Sequence, residues 1–492
     1  MREAAHLRER YRTMLVHVAL IAAFVGLLLL APLAVVFTDS MDWRTAACFA
    51  IPGLGLALVG FCIWRAAGTV QAVLTLQEGG VIVMASWVIA SLAGAIPLAV
   101  IEHLSVSQAV FESVSGWTTT GLSVIDVTRA HPATLLWRST MQLAGGAGLA
   151  ILTLAAVTSP GGMSLSVAEG RTDQLAPNVR NSALLVVRIY AAYVLLGILA
   201  LRAAGMGWFD AVNHSFCAVS TGGFSTRTDS IGAFDSPLVE GVTMVLMILG
   251  GLNFLTSWCL LRGRLAAVAR NGEVRLQALL VPIAAGLVLV VTCLSLYAPA
   301  TKAVRVAIFE TVSALTTTGF STVGYRNWNG FGILMLIVLM LIGSGTCSTG
   351  GAIKQQRIYL LYRLLVRELR RPFRPRAAIA EEYVWLGEER TAVTDAHARA
   401  LAVFVFVYVA TWLFGAAVLT AHGYPLQDAL FEYASTLGTV GLSIGITGPD
   451  TPPVILWTQT AGMLLGRLEF FVIFASTGKL VLDSRRMARL RP

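Results

Sequence analysis

The sequence predicts an all-α integral membrane protein with ten transmembrane helices: four pore-loop repeats around one central pore, plus two extra N-terminal helices. Three observations predict it. The 492 residues are 56% apolar and only 13% charged, about half the charge a soluble domain carries. Apolar runs of roughly 20 residues, long enough to cross the hydrocarbon core, recur along the whole chain. Four segments lying between those runs repeat one another in a single register.

The two leading spans cover 13–37 and 46–66. The apolar run 15–37 is too long for a signal-peptide core and no small-residue cleavage site follows it, so it reads as a retained helix. Eight further spans are expected at 80–101, 134–158, 183–205, 236–261, 277–298, 329–365, 397–421 and 453–482. An even count puts both termini on one side. Basic residues cluster at 2–12, 262–275, 354–376 and 485–491, beside apolar runs and without interleaved aromatics. That placement marks a cytoplasmic face, argues for contact with membrane lipid and argues against nucleic acid as a partner. The loops 159–182, 262–276 and 366–396 then face the cytoplasm, and the gaps 102–133, 206–235, 299–328 and 422–452 face outward. The units become a two-helix extension (1–79) and four repeats (80–158, 159–261, 262–376 and 377–492). The six cysteines sit in or beside apolar stretches without CxxC spacing and read as packing residues.

Each outward gap holds one copy of the repeated segment. The first runs through Thr118, Thr119, Thr120 and Gly121. The second has Ser220, Thr221, Gly222 and Gly223; the third Thr316, Thr317, Thr318 and Gly319; the fourth Gly438, Thr439, Val440 and Gly441. Every copy continues with Leu or Phe and then Ser. The apolar stretch before each run is about 10 residues long, too short to span and long enough for a re-entrant half-helix. Irregular backbone at membrane depth survives only where protein buries it or it lines a wet cavity. Four helices ending at such runs would aim their partial negative ends at a common centre, which favours a cation. Glycine allows the unusual backbone angles that turn carbonyls inward, and rings of carbonyls can replace the hydration shell of a potassium ion. The expected ion ligands are Thr119, Thr120, Thr221, Gly222, Thr317, Thr318, Thr439 and Val440.

Glu112, Glu310 and Glu432 occupy one register position before these runs, and His214 takes that position in the second repeat. The carboxylates either complement the helix dipole or help to attract cations and hold the filter. The second repeat departs furthest from the pattern, with Asn213-His214 where the others have Phe-Glu.

These residues resemble the TrkH/KtrB superfamily of potassium transporters, over nearly the whole chain. The two extra leading spans and the run Gly466-Arg467-Leu468-Glu469 are more similar to TrkH than to KtrB. The resemblance implies four M1-P-M2 repeats, a homodimer, and a cytoplasmic nucleotide-binding regulatory ring of the TrkA or KtrA kind. Nucleotide would act only through that partner, and the chain itself needs no cofactor beyond the K+ it moves. It further implies that glycine at the first filter position, here Gly121, favours potassium over sodium. A sodium-permeable or non-selective cation transporter of the same fold is the alternative.

Two elements below the filter complete the expectation. Gly343, Ser344, Gly345, Thr346, Cys347, Ser348, Thr349, Gly350 and Gly351 interrupt the span 329–365 with small and hydroxyl residues. Such a break is costly unless it borders a water-filled cavity; the resemblance implies a gate, and a small-residue packing face is the plain alternative. The arginines after it, Arg357, Arg363, Arg367, Arg370 and Arg371, either transmit movement from a cytoplasmic partner or anchor at headgroups. Arg467 lies deep in the last span, where a charge must face protein or water. It is expected below the filter, as a positive barrier or as a contact to the gate, with an ion pair to another helix as the alternative. Glu469 cannot be its partner along one helix face.

Two fragments imitate enzymes. Gly441-Leu442-Ser443-Ile444-Gly445 fits G-x-S-x-G but lacks the strand and helix of a nucleophile elbow. The stretch 345–351 is glycine-rich, yet Lys354 falls too late for a phosphate-binding loop. No enzymatic activity is expected.

Overall fold

The computed structural model describes residues 2–37, 41–67, 74–147, 179–373, 383–386, 389–392 and 395–489. The second part of the expected span 134–158, from residue 148, and the loop that follows it as far as residue 178 lie outside the described residues.

Six helices among the described residues are long and apolar enough to cross a membrane: His6–Phe37, Trp43–Ala67, Gln77–Ile101, Leu184–Ala203, Gly272–Leu296 and His397–Ala421. The last four each lead into a short helix: Val106–Trp117, Trp208–Val219, Ala300–Leu315 and Leu426–Leu437. Sequence explains two of these helix starts. Thr75 with Glu78, and Ser105 with Gln108, form reciprocal capping boxes that satisfy the first backbone donors. After each short helix the chain runs through its Thr/Gly segment into a following helix. These are Pro132–Gly146, Pro237–Gly251, Gly330–Ile342 and Pro453–Leu468. Three of the four open on proline, whose missing N–H costs nothing at a helix start.

Two expected spans are not continuous. The stretch 236–261 bends by 117° between Pro237–Gly251 and Phe254–Leu261. Asn253 makes the bend, because its side chain accepts the Leu255 N–H at 2.8 Å and caps a new helix. The stretch 453–482 breaks at Glu469, which has φ +60° and separates Pro453–Leu468 from Phe470–Arg489. The interruption expected at 343–354 divides Gly330–Ile342 from Gln355–Arg370. One short antiparallel hairpin, Tyr383–Leu386 with Glu389–Ala392, departs from the all-helical expectation. Both strands carry β-branched or aromatic residues, which suit a pleated backbone.

The leading helices pack on the first repeat. Val25, Phe49, Trp87, Phe111, Trp117 and Trp137 share one buried cluster, and the Phe49 and Trp137 rings meet edge to face at 6.3 Å. Sequence-distant ends join there: Tyr11 donates to Asp483 at 3.1 Å, Lys479 pairs with Asp483 at 2.9 Å, and Arg10 pairs with buried Glu78.

At one register position along the four following helices stand Gly145, Gly250, Gly343 and Gly466. In repeats 1, 2 and 4 this glycine presses on the last carbonyl of the short helix. A Cβ there would lie 1.9 Å from the Trp117 oxygen, 2.4 Å from Val219 and 1.9 Å from Leu437. In repeat 3 it ends the helix itself, with φ +74°. Gly466→Ala is therefore expected to destabilise the fold by about 1–3 kcal/mol, the usual cost of overpacking. Thermal unfolding in detergent checks it; an unchanged midpoint would mean the helix has room to retreat.

Candidate functional site

Each short helix ends in the same way. Thr120 N–H reaches back to the Ser115 carbonyl at 2.9 Å and Thr119 N–H to Gly116 at 3.1 Å. Gly222 and Thr221, Thr318 and Thr317, and Val440 and Thr439 make the equivalent bonds within 2.8–3.3 Å. This is the Schellman pattern, which needs a left-handed residue at its centre, ordinarily glycine. Here it is threonine every time: Thr119 (φ +57°), Thr221 (+51°), Thr317 (+55°) and Thr439 (+50°). A β-branched residue in that region costs roughly 1–2 kcal/mol, and such strain persists only where the surroundings impose it.

Two residues further on, the four segments meet. A Cβ on Gly121 would lie 2.2 Å from the Gly222 carbonyl oxygen, and one on Gly223 2.3 Å from Thr318. One on Gly319 would lie 2.0 Å from Val440, and one on Gly441 2.1 Å from Thr120. The contacts run from repeat 1 to 2, 3, 4 and back to 1, so they close a ring. All four glycines have φ between +74° and +100°, and no side chain fits at any of them. Above the ring a cavity of about 690 Å³ is lined by the four glycines together with Asp126 and Arg227. Hydrogen bonds from Thr128 hold the Asp126 carboxyl below its ordinary pKa, so it stays charged.

The buried residues of the carboxylate register hold the chain that leaves the ring. Glu112 accepts from Ser123 at 2.9 Å and from Val124 N–H at 2.8 Å. Glu310 accepts from the Thr322 amide at 2.8 Å and from the Tyr325 hydroxyl. Glu432 takes Ser443 at 2.8 Å, Ile444 N–H at 3.0 Å and Thr447 N–H at 3.1 Å. His214 bonds Ser225 at 2.9 Å. All four are fully buried, so they brace the segments and do not face the cavity as an acidic ring. Arg138 pairs with Glu112 at 2.7 Å and lies over the Phe224 ring at 4.0 Å.

Beneath the ring lies the 343–354 loop. Gly351 N–H points at Thr317 Oγ1, 3.3 Å away, and a Cβ on Gly351 would touch Thr439 Oγ1 at 2.2 Å. Thr349 meets Thr221 Oγ1 at 2.9 Å and donates to the Gly250 carbonyl at 2.9 Å. The loop also fills the notch of the bent helix: Gly345 N–H donates to Gly251 O at 2.9 Å, and Phe254 N–H to Cys347 O at 3.4 Å. Thr346 N–H donates to Glu273 at 2.7 Å. Arg467 binds the Thr349 carbonyl and, at 2.7 Å, the Gly145 carbonyl. Arg467 thus touches the loop and the first repeat. Glu469 holds Arg357 with both oxygens at 2.9 Å, and the Arg357 guanidinium also lies 3.9 Å over Phe404. Arg357 is thus tied into protein.

The profile of the TrkH family, described as cation transport proteins, matches residues 64–481, which include all four glycine segments, the loop and Arg467. The chain belongs to the TrkH family. Among relatives, the TrkH-family chain is 34% identical over 414 residues to the Trk system potassium uptake protein TrkH of Halomonas elongata. That match covers 81% of this chain and 84% of the relative. The protein of the same name from Escherichia coli K12 is 32% identical over 434 residues, covering 84% and 88%. The crystal structure of the potassium transporter TrkH from Vibrio parahaemolyticus superposes with a TM-score of 0.81 at 28% identity, over 94% of this chain and 98% of that one.

Sequence reading missed Ser115, Ser313, Ser435, Arg138, Gln142 and Glu273. The serines fall in the same gapless register as the glycines and were legible there; Glu273 carries no repeat signal. Glu432→Ala would strand several buried donors, each costing about 1–3 kcal/mol. A fall of the detergent unfolding midpoint by several degrees is expected, with a smaller fall for Glu432→Gln; equal, small effects would argue against the brace.

Proposed function

We propose that this chain is the ion-conducting subunit of a potassium uptake system in the cytoplasmic membrane of a prokaryote. The observation that carries the reading is the closed ring of glycine–carbonyl contacts, sealed from below by one loop. The carbonyls of Thr120, Gly222, Thr318 and Val440 lie at one level around the ring, and carbonyls so gathered suit a dehydrated monovalent cation. The threonines 119, 221, 317 and 439 supply hydroxyls one step inward. Among the described residues, Thr439 Oγ1 is buried without a hydrogen-bond partner, an oxygen suited to an ion or a water. The short-helix ends add partial negative charge at the same centre. Potassium is the ion carried in the names of the relatives.

The ten-span layout follows on this reading. Six long helices cross directly, and the following helices of repeats 2, 3 and 4 cross as broken pairs. Both termini face the cytoplasm, where the basic clusters lie. The four units are M1-P-M2 repeats behind a two-helix extension. The loop 343–354 is the gate and Arg467 is its latch, joining it to the first repeat. A homodimer and a nucleotide-binding regulatory ring complete the assembly. Gln355–Arg370 is the element best placed to relay the ring's movement, through the Arg357–Glu469 pair.

Protein reconstituted in liposomes should take up rubidium, and Gly121→Ser should lower discrimination against sodium, because its Cβ must displace the Gly222 carbonyl. Absence of uptake with and without a regulatory partner would sink the reading. Arg467→Ala removes the charge-assisted bond to the loop at Thr349 and the one to Gly145 of the first repeat, and should raise unstimulated rubidium uptake by about tenfold or more. Unchanged or lower uptake in a folded variant would remove Arg467 from the gate.

A further inference from the structure

In repeats 1, 3 and 4 a serine of the short helix grips the ring glycine or the residue after it. Gly121 N–H donates to Ser115 Oγ at 3.1 Å, and Ser115 donates to the Leu122 carbonyl at 2.6 Å. Ser313 donates to the Phe320 carbonyl at 2.5 Å, and Gly441 N–H to Ser435 Oγ at 3.0 Å. The second repeat has Cys217 in this place, and a thiol is a poor donor and acceptor. Its ring glycine, Gly223, is instead held through the residues on either side of it, from elsewhere. Gln142, fully buried on the following helix of repeat 1, donates from Nε2 to the Gly222 carbonyl. Its Oε1 accepts Phe224 N–H at 3.1 Å. The two partners fix the amide's orientation, because a backbone N–H can only donate.

The register sharpens the point. Gln142 stands where the other following helices carry Met247, Met340 and Met463, all fully buried. One repeat has exchanged methionine for glutamine, and the next has exchanged serine for cysteine. We infer that Gln142 is a selectivity-determining positioning residue, which replaces the missing serine of the second quadrant from the neighbouring repeat.

The exchange also makes the ring unequal. Among the described residues, no side chain donates to the Thr120, Thr318 or Val440 carbonyls, whereas Gly222 shares its oxygen with an amide. A cation in the ring therefore meets three undivided carbonyls and one divided one. Without Gln142, the Gly222–Phe224 backbone loses both side-chain bonds that fix it, and Gly222 can follow a smaller ion inward.

The inference rests on the pore reading, and the experiment separates the two. Wild type, Gln142→Met, Cys217→Ser and the double variant are reconstituted in liposomes, and potassium and sodium permeabilities are compared. Gln142→Met should lower the potassium-to-sodium ratio by about five- to tenfold, the worth of roughly one hydrogen bond, while potassium flux persists. The double variant, which gives this quadrant the Met and Ser of the other three, should recover most of the ratio. A merely structural role would not produce that recovery. A folded Gln142→Met with wild-type selectivity overturns the inference, as does a double variant no better than the single. Should Gln142→Met fail to fold, Gln142→Glu, which keeps the shape and loses the donor, takes its place with the same expectation. Misfolding of both would show that Gln142 serves the fold and not the ring, and also overturns it. The pore reading fails separately, if wild type carries no flux or Gly121→Ser leaves selectivity untouched.

Discussion

Four stretches of nearly bare backbone must meet on one axis at close range, and the rest of the structure answers that constraint. Backbone groups deep in a membrane protein need internal partners. At the ring there is room for neither side chains nor ordinary secondary structure. The chain therefore satisfies its polar groups from behind: the Schellman bonds close each short helix, and buried side chains take up the donors of the departing chain. What remains uncommitted at the centre is mostly carbonyl oxygen.

This solution is strained, and the strain is distributed evenly. The left-handed threonines cost roughly 1–2 kcal/mol apiece, where glycine would cost little. Threonine keeps a hydroxyl at the inner edge of the ring, where Thr221, Thr317 and Thr439 face the loop below. The braces differ more than the backbone does. Glu432 takes several donors, whereas His214 takes Ser225 alone on that side, so the second quadrant leans on Arg138 and Gln142 of its neighbour. The same logic recurs below the ring. Bending of one following helix exposes Gly250 and Gly251 carbonyls, and the loop of the next repeat takes them up.

Much of this was legible in the chain. The four glycines, the threonines before them and the interruption at 343–354 stand out because a repeated register reveals a shared geometry. The carboxylate position was visible too, but its role was not. Nothing in the spacing of Glu112, Glu310 and Glu432 tells a brace from an acidic ring; burial decides. The bends at 252–253 and at Glu469 escaped hydropathy, which averages over a break of one or two residues. Asn253 and Glu469 carried the only local signals. The partnership of Arg357 with Glu469 is tertiary and has no trace in either local sequence. Gln142 falls between these cases, since it differs from its register mates in plain view, and only its contacts give the difference a meaning.

The four quadrants belong to one polypeptide. In a ring built from four copies of one subunit, every substitution is made four times, and a change too severe in fourfold dose is lost. Here each quadrant changes alone. A histidine can replace one glutamate, and a cysteine one serine, while three intact neighbours hold the ring closed. Such a chain can vary its ring in single steps, with each step diluted by the three positions that did not move.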